Sequence, residues 1–165
     1  MHRIEAEVLD EARLEPFGRV LKLPEPSSGE ATISRDAVTL YGDLARIGAV
    51  GSDVEFGLAV LDPREPTMES MERHVETAEL LFAVRGDFVL PLAPASADVP
   101  SPEAVRCFVV PEGQGCVLDR ATWHWAPYPT KGRCELLVAF KAGTPVNDMI
   151  IEPLSGGAVE IGLEG

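Results

Sequence analysis

Positive charge is what this 165-residue chain has least of. Its 14 lysines and arginines stand against 27 aspartates and glutamates, for a net charge of −13. Nucleic-acid affinity comes from neutralising phosphates with Lys and Arg, so that partner class is excluded. Anionic membrane surfaces are excluded on the same ground. An anionic small molecule would have to be met by a local cation, against the field of the whole protein. Long apolar runs are missing too. None approaches the ~20 residues of a membrane-spanning helix, and the opening MHRIEAEVLDEARLEPFG holds no apolar signal-peptide core. Cysteine is sparse: Cys107, Cys116 and Cys134 are odd in number and lack CxxC spacing. That pattern does not describe a disulfide framework and points to a reducing, cytoplasmic setting. Repeats and low-complexity tracts are absent, and helical periodicity nearly so.

What the chain does have is a succession of short extended runs. Its length and its 45% apolar content suit a single domain over 1–165. Residues 3–9 alternate apolar and polar, as a strand does. Residues 10–17 read as one short helix with Asp10 as N-cap, limited by Pro16. Extended chain returns at 17–21. The PEPSSG stretch at 24–29 is a loop by composition. A strand at 37–41 is ended by Gly42-Asp43, 44–50 fits strand or short helix, and 54–61 is a strand stopped by Asp62-Pro63. Residues 93–103 form an exposed connection. Strands follow at 104–110, 116–119 and 135–141, an irregular stretch lies at 123–127, and edge strands are expected at 149–152 and 158–163. Short strands with closely spaced turn signals define an all-β sandwich or barrel. Double-sheet jelly rolls are the version that places a ligand site in the barrel mouth.

The stretch 71–92, MERHVETAELLFAVRGDFVLPL, organises the rest. It reads as one β-hairpin turning at Arg85-Gly86-Asp87, where glycine supplies the positive φ of a tight connection. His74 and Glu79 lie on its first arm, and both side chains ligate divalent metals such as Zn, Mn, Fe or Ni. Their numbers differ by five, so a regular strand would put them on opposite faces. Convergence needs a bulge, a turn at Glu76-Thr77, or two adjacent strands. A surface His and a surface Glu flanking a hairpin fit the spacing as well.

These residues resemble the cupins. His74, four residues, Glu79, six residues, Gly86 is similar to the second half of the first cupin motif, with Glu72 where that motif has its first His. Pro111-Glu112-Gly113 resembles the turn that opens the second motif, with Cys116 at the expected His. A closer resemblance is to the ureidoglycolate lyase family, itself a cupin family. It rests on Tyr41-Gly42-Asp43-Leu44-Ala45, Glu72-Arg73-His74, Arg85-Gly86, Gly113-Gln114-Gly115 and Trp123-His124, and covers roughly residues 40 to 141. The chain departs from the family at Glu79, commonly Gln; at His124-Trp125-Ala126-Pro127, where the family has His-His-Pro; and at Phe140-Lys141, where it tends to Asp-Arg.

The resemblance implies a double-stranded β-helix, the cupin jelly-roll barrel, with a short N-terminal strand-helix extension. It implies cleavage of ureidoglycolate, or a related small α-hydroxy acid, to glyoxylate and urea. A base must take the hydroxyl proton and an acid must protonate the leaving nitrogen. His74, Glu79, His124 and Cys116 are then the candidate metal ligands, and His124 or Glu79 the acid–base group. Arg85, Arg73 or Lys141 could meet the substrate carboxylate, with Trp123 beside it. Each has a structural alternative: a packed His124, a packing Trp123, a buried Cys116 thiol, solvated arginines. Two other functions stay open, a metal cupin of isomerase or dioxygenase activity and a non-catalytic module binding a small carboxylate or sugar. Resemblance to cupins also implies a homodimer, to which unpaired strand edges lend a physical reason.

Overall fold

A computed structural model of the chain describes residues 1–24, 33–35, 38–41, 44, 46–47 and 53–163. The expected loop at 24–29, most of 44–50 and the Gly42-Asp43 stop lie outside the described residues. Short strands dominate. The N-terminal run divides into β1 (His2–Ile4) and β2 (Ala6–Val8), followed by helix α1 (Glu11–Leu14). Asp10 caps that helix as expected, its carboxylate accepting from Ala12 N at 3.0 Å and Arg13 N at 3.2 Å. Next come β3 (Gly18–Lys22), β4 (Ile33–Arg35), β5 (Val38–Leu40) and β6 (Val54–Leu61). The middle of the chain holds β7 (Thr67–Met68), β8 (Ser70–Arg73), β9 (Glu79–Arg85) and β10 (Phe88–Ala93). Then follow β11 (Arg106–Val110), β12 (Gln114–Leu118), β13 (Trp123–His124), β14 (Tyr128–Pro129) and β15 (Cys134–Lys141). Helix α2 (Thr144–Asn147), β16 (Ile150–Pro153) and β17 (Val159–Ile161) complete the order. No described helix is long and apolar enough to cross a membrane.

Two sheets face each other as a jelly roll. One runs β16-β8-β13-β10-β11-β2, with β14 also on β10; the other runs β3-β12-β9-β15-β6. Between them lies the main core, built from Leu81 and Ala83 of β9, Phe88 and Leu90 of β10, Phe108 of β11 and Leu136 of β15, with Leu14 and Phe17 closing one end. A small third sheet, β1-β17-β7, covers the outer face of the first. There Met71, Val89, Ala93, Cys107 and Trp123 meet Ile4, Met68, Val159 and Ile161. Strand β10 is therefore buried on both faces, which is why its sequence FVLPLA is apolar throughout. Its Pro91 falls in the gap between β13 and β14, and its carbonyl accepts from Trp125 N at 3.3 Å.

The structure corrects the expected hairpin over 71–92. Strand β9 pairs with β12 and β15, whereas β10 pairs with β11, β13 and β14. The turn at Gly86 (φ +76°) is a corner between sheets, so β9 and β10 face each other across the core instead of lying side by side. Two shorter expectations change as well. Where the sequence reads as irregular over 123–127, Trp123 and His124 form a ladder between β8 and β10. Strand β17 is the central strand of its sheet, not an edge.

Candidate active site

The site forms where β8 leaves the first sheet. Alternation along β8 sends Met71 into the outer core and stacks the Arg73 guanidinium 4.4 Å from the Trp123 ring centre, on that same outer side. Glu72 and His74 take the other face, toward the barrel interior. The chain then bends at Val75-Glu76 and crosses to the second sheet, where Glu79 opens β9. This bend overcomes the odd separation of His74 and Glu79. His124 sits on β13 directly across from Glu72, and cross-strand neighbours share a face.

Four side chains converge as a result. His124 Nε2 lies 3.0 Å from Glu79 Oε2 and 3.6 Å from Glu72 Oε1, and His74 Nε2 lies 3.7 Å from the same Glu79 oxygen. The imidazole centres are 5.0 Å apart. Glu72, His74 and His124 each present a ligand atom within 4.8 Å of the others. Both rings are anchored from behind: Nδ1 of His74 donates to the Asp148 carbonyl at 2.6 Å, and Nδ1 of His124 to the Thr122 carbonyl at 3.0 Å. Each Nε2 is thereby turned to the shared pocket, the arrangement that orients histidine ligands in metal sites. The contact between His124 Nε2 and Glu79 Oε2 is close but off-line for a hydrogen bond, and both buried atoms lack an aligned partner. Such atoms call for an explanation, and their chemistry fits a cation held at their meeting point.

Burial pulls the Glu79 carboxyl upward, but His124 beside it, with a smaller share from His74, outweighs burial and holds the group below the ordinary carboxylate range. Burial lowers His124, yet Glu79 and Glu72 win and raise it to about 9. Thr77, Leu118, Asp119 and Thr122 complete a narrow cleft around these side chains. Among the described residues no Arg or Lys lines it.

The other sequence-expected residues fall elsewhere. Cys116 lies in the main core beside Leu81, and burial pushes its thiol far up, so the thiolate a metal prefers is strongly disfavoured. Arg85 stands at the far end of β9, its side chain 72% exposed and paired with Glu135 at 3.0 Å. Trp123 is fully buried in the outer core, with Nε1 donating to the Ser96 carbonyl at 3.3 Å. Lys141 stays close to the site. Its Nζ pairs with Glu76 on the bend, and its backbone N donates to Thr77 Oγ1 at 3.0 Å. The motif comparison marks Glu72 only as a substituted ligand position, although standing two residues before His74 puts it on the same face. Thr77, Asp119 and Asp148 had no signal, since nothing local in the sequence brings them here.

A jelly roll with two histidines and two carboxylates gathered between the ends of its sheets is a cupin. Within the cupins, this chain belongs to the ureidoglycolate lyase family, whose model matches residues 1–153. It is 28% identical over 152 residues to a ureidoglycolate lyase of Azotobacter vinelandii, covering 89% of this chain and 90% of that protein. Among solved structures it is similar to an oxalate decarboxylase–formate complex of Lactobacillus farciminis (17% identity, TM-score 0.45), over 61% of this chain and 27% of that one. It is also similar to a Neisseria meningitidis protein (18% identity, TM-score 0.39), over 59% of this chain and 82% of that one.

Proposed function

We propose that the chain cleaves ureidoglycolate, or a closely related small α-hydroxy acid, to glyoxylate and urea. The observation that carries this reading is the convergence of His74, His124, Glu72 and Glu79 in a chain of this family. In the reaction the substrate hydroxyl loses its proton, the carbon–nitrogen bond breaks toward nitrogen, and the departing urea nitrogen gains a proton. Hydroxyl and nitrogen sit on one carbon, so a single carboxylate between them can take the proton from the first and return it to the second. Glu79 has the attributes for this: it is buried, held ionised by two histidines, and has an oxygen with no aligned partner.

Charge supports a divalent metal. The pocket is lined by Glu79 and Asp119, with Glu72 3.6 Å from His124, and by no Arg or Lys among the described residues; this acidity would repel an α-hydroxy acid. Glu72, His74 and His124 fit an ion such as Ni, Mn, Zn or Fe, with Glu79 beside them. When bound, the ion would neutralise the carboxylates, hold the substrate carboxylate and hydroxyl, and lower the hydroxyl pKa. Lys141, paired with Glu76 on the bend, is a cation near the site.

The deciding assay follows glyoxylate release from ureidoglycolate by protein purified without chelators, with bound metal measured by elemental mass spectrometry. Release that is lost in Glu79→Gln and restored to chelated wild type by one added metal supports the reading. Ligand binding without turnover, whatever metal is supplied, would replace it with a carboxylate-binding module. A cytoplasmic setting fits the three free, buried thiols. We also propose a homodimer. The N-terminal strands pair within their own chain, so support comes instead from β6, an edge strand whose outer row Val54, Phe56, Leu58 and Val60 is exposed.

A further inference from the structure

Asp148 holds the site's geometry together, and nothing in the chemistry above uses it. It follows α2, on the loop into β16, and is itself buried at 6% exposure. Three contacts run from this one residue to the chain around His74. Its carbonyl oxygen accepts from His74 Nδ1 at 2.6 Å. Its carboxylate spans the next two backbone amides, Oδ1 accepting from Val75 N at 3.0 Å and Oδ2 from Glu76 N at 2.8 Å. Its own N–H donates to the Thr144 carbonyl at 3.0 Å, which fixes it to α2.

Those two amides belong to the bend that turns the chain from the first sheet to the second. A regular strand would aim His74 and Glu79 at opposite faces. A carboxylate bonded to consecutive N–H groups favours the bent chain, because extended backbone points successive amides apart. The carbonyl bond meanwhile fixes the His74 proton on Nδ1 and leaves Nε2 for the pocket. We infer that Asp148 is a positioning residue: it locks the His74 tautomer and the 75–76 bend, and so sets the spacing of His74 and Glu79. The inference rests on the site reading above for its functional consequence, but not for its structural one.

Two variants test it. Asp148→Ala removes both amide acceptors, and Asp148→Asn keeps one. The chain has only three histidines, so long-range imidazole ¹⁵N–¹H spectra can be assigned by a His74→Gln control. Wild type is expected to show His74 as a single Nδ1–H tautomer. Both variants keep the carbonyl, but in Asp148→Ala nothing ties the loop that presents it to the 75–76 bend, so that signal should give way to averaged tautomers, with Asp148→Asn intermediate. Calorimetric titration with Mn²⁺ or Zn²⁺ should show affinity weakened by about 10- to 100-fold in the alanine variant, the usual cost of losing a group that orients a ligand. If Asp148→Ala does not fold, the comparison rests on Asp148→Asn at low temperature, whose wild-type spectrum would overturn the inference. A variant that merely melts lower, with the His74 spectrum unchanged, makes Asp148 an ordinary loop cap and also overturns it. If wild type binds no metal and releases no glyoxylate, the site reading fails instead, and the tautomer spectra still decide the role of Asp148.

Discussion

On the Glu79 carboxyl two forces oppose each other. Burial favours the neutral acid, while His124 and His74 favour the anion and prevail. Glu79→Gln keeps the shape and removes the charge. Glyoxylate release should fall by about 10²- to 10⁴-fold, the range for losing a proton-transferring group. If turnover stays within a few-fold of wild type, Glu79 does not carry the proton. The same substitution reads out on stability. In chelated protein His124 titrates at about 9 against an ordinary 6.5, so its contribution is fully present below pH 6.5 and is lost as pH rises to 9. Melting temperature should therefore drop across that window, and the drop should shrink in Glu79→Gln, where the charge that raises His124 is gone. An unchanged profile would mean the two groups are not coupled. The sequence already offered His74, Glu79 and His124, because motif spacing survives in a linear chain. Asp148 and Asp119 were not legible, since each reaches the site only through the folded path of the chain.

For the elements, short-range signals read well and pairings did not. Val54–Leu61 was legible residue for residue, as was the Asp10 cap, because alternation and capping are local properties. The partner of β9 is not local. An apolar run ending in Arg-Gly-Asp is equally compatible with a hairpin and with a corner between sheets, and only the register against β12 and β15 decides. That register also places Glu79, which lies opposite Leu118 of β12. Gly115 makes the close approach of these strands possible: a Cβ there would stand 2.3 Å from the Leu81 carbonyl oxygen. Gly115→Ala should push β12 from β9, cost about 1–3 kcal/mol as overpacking does, and reduce turnover in the protein that remains folded. Denaturant melts beside initial rates measure both. Wild-type stability and rate would show that the strands part without consequence.

At the scale of the molecule, acidity and the row on β6 act against each other. With −13 net charge, two copies repel, and the repulsion weakens as salt shortens the screening length, about 10 Å at 0.1 M. The outer row of β6 works the other way. Phe56 is 65% exposed and Leu58 61%, while Gly57, Ala59 and Leu61 on the other face are half-buried. Large apolar groups placed outward on a strand that is an edge among the described residues favour a cover, and a second copy offers the same uncharged row in return. Association through this face should therefore tighten with added salt, because apolar burial persists while charge repulsion is screened. Light scattering coupled to size exclusion at low and high salt measures this, and Leu58→Glu should give monomer at both. A wild-type monomer at every salt concentration, or a dimer indifferent to Leu58→Glu, would place the interface elsewhere or remove it. The site lies between the ends of the sheets and β6 at the margin of one, so the monomeric variant should keep its glyoxylate-releasing rate.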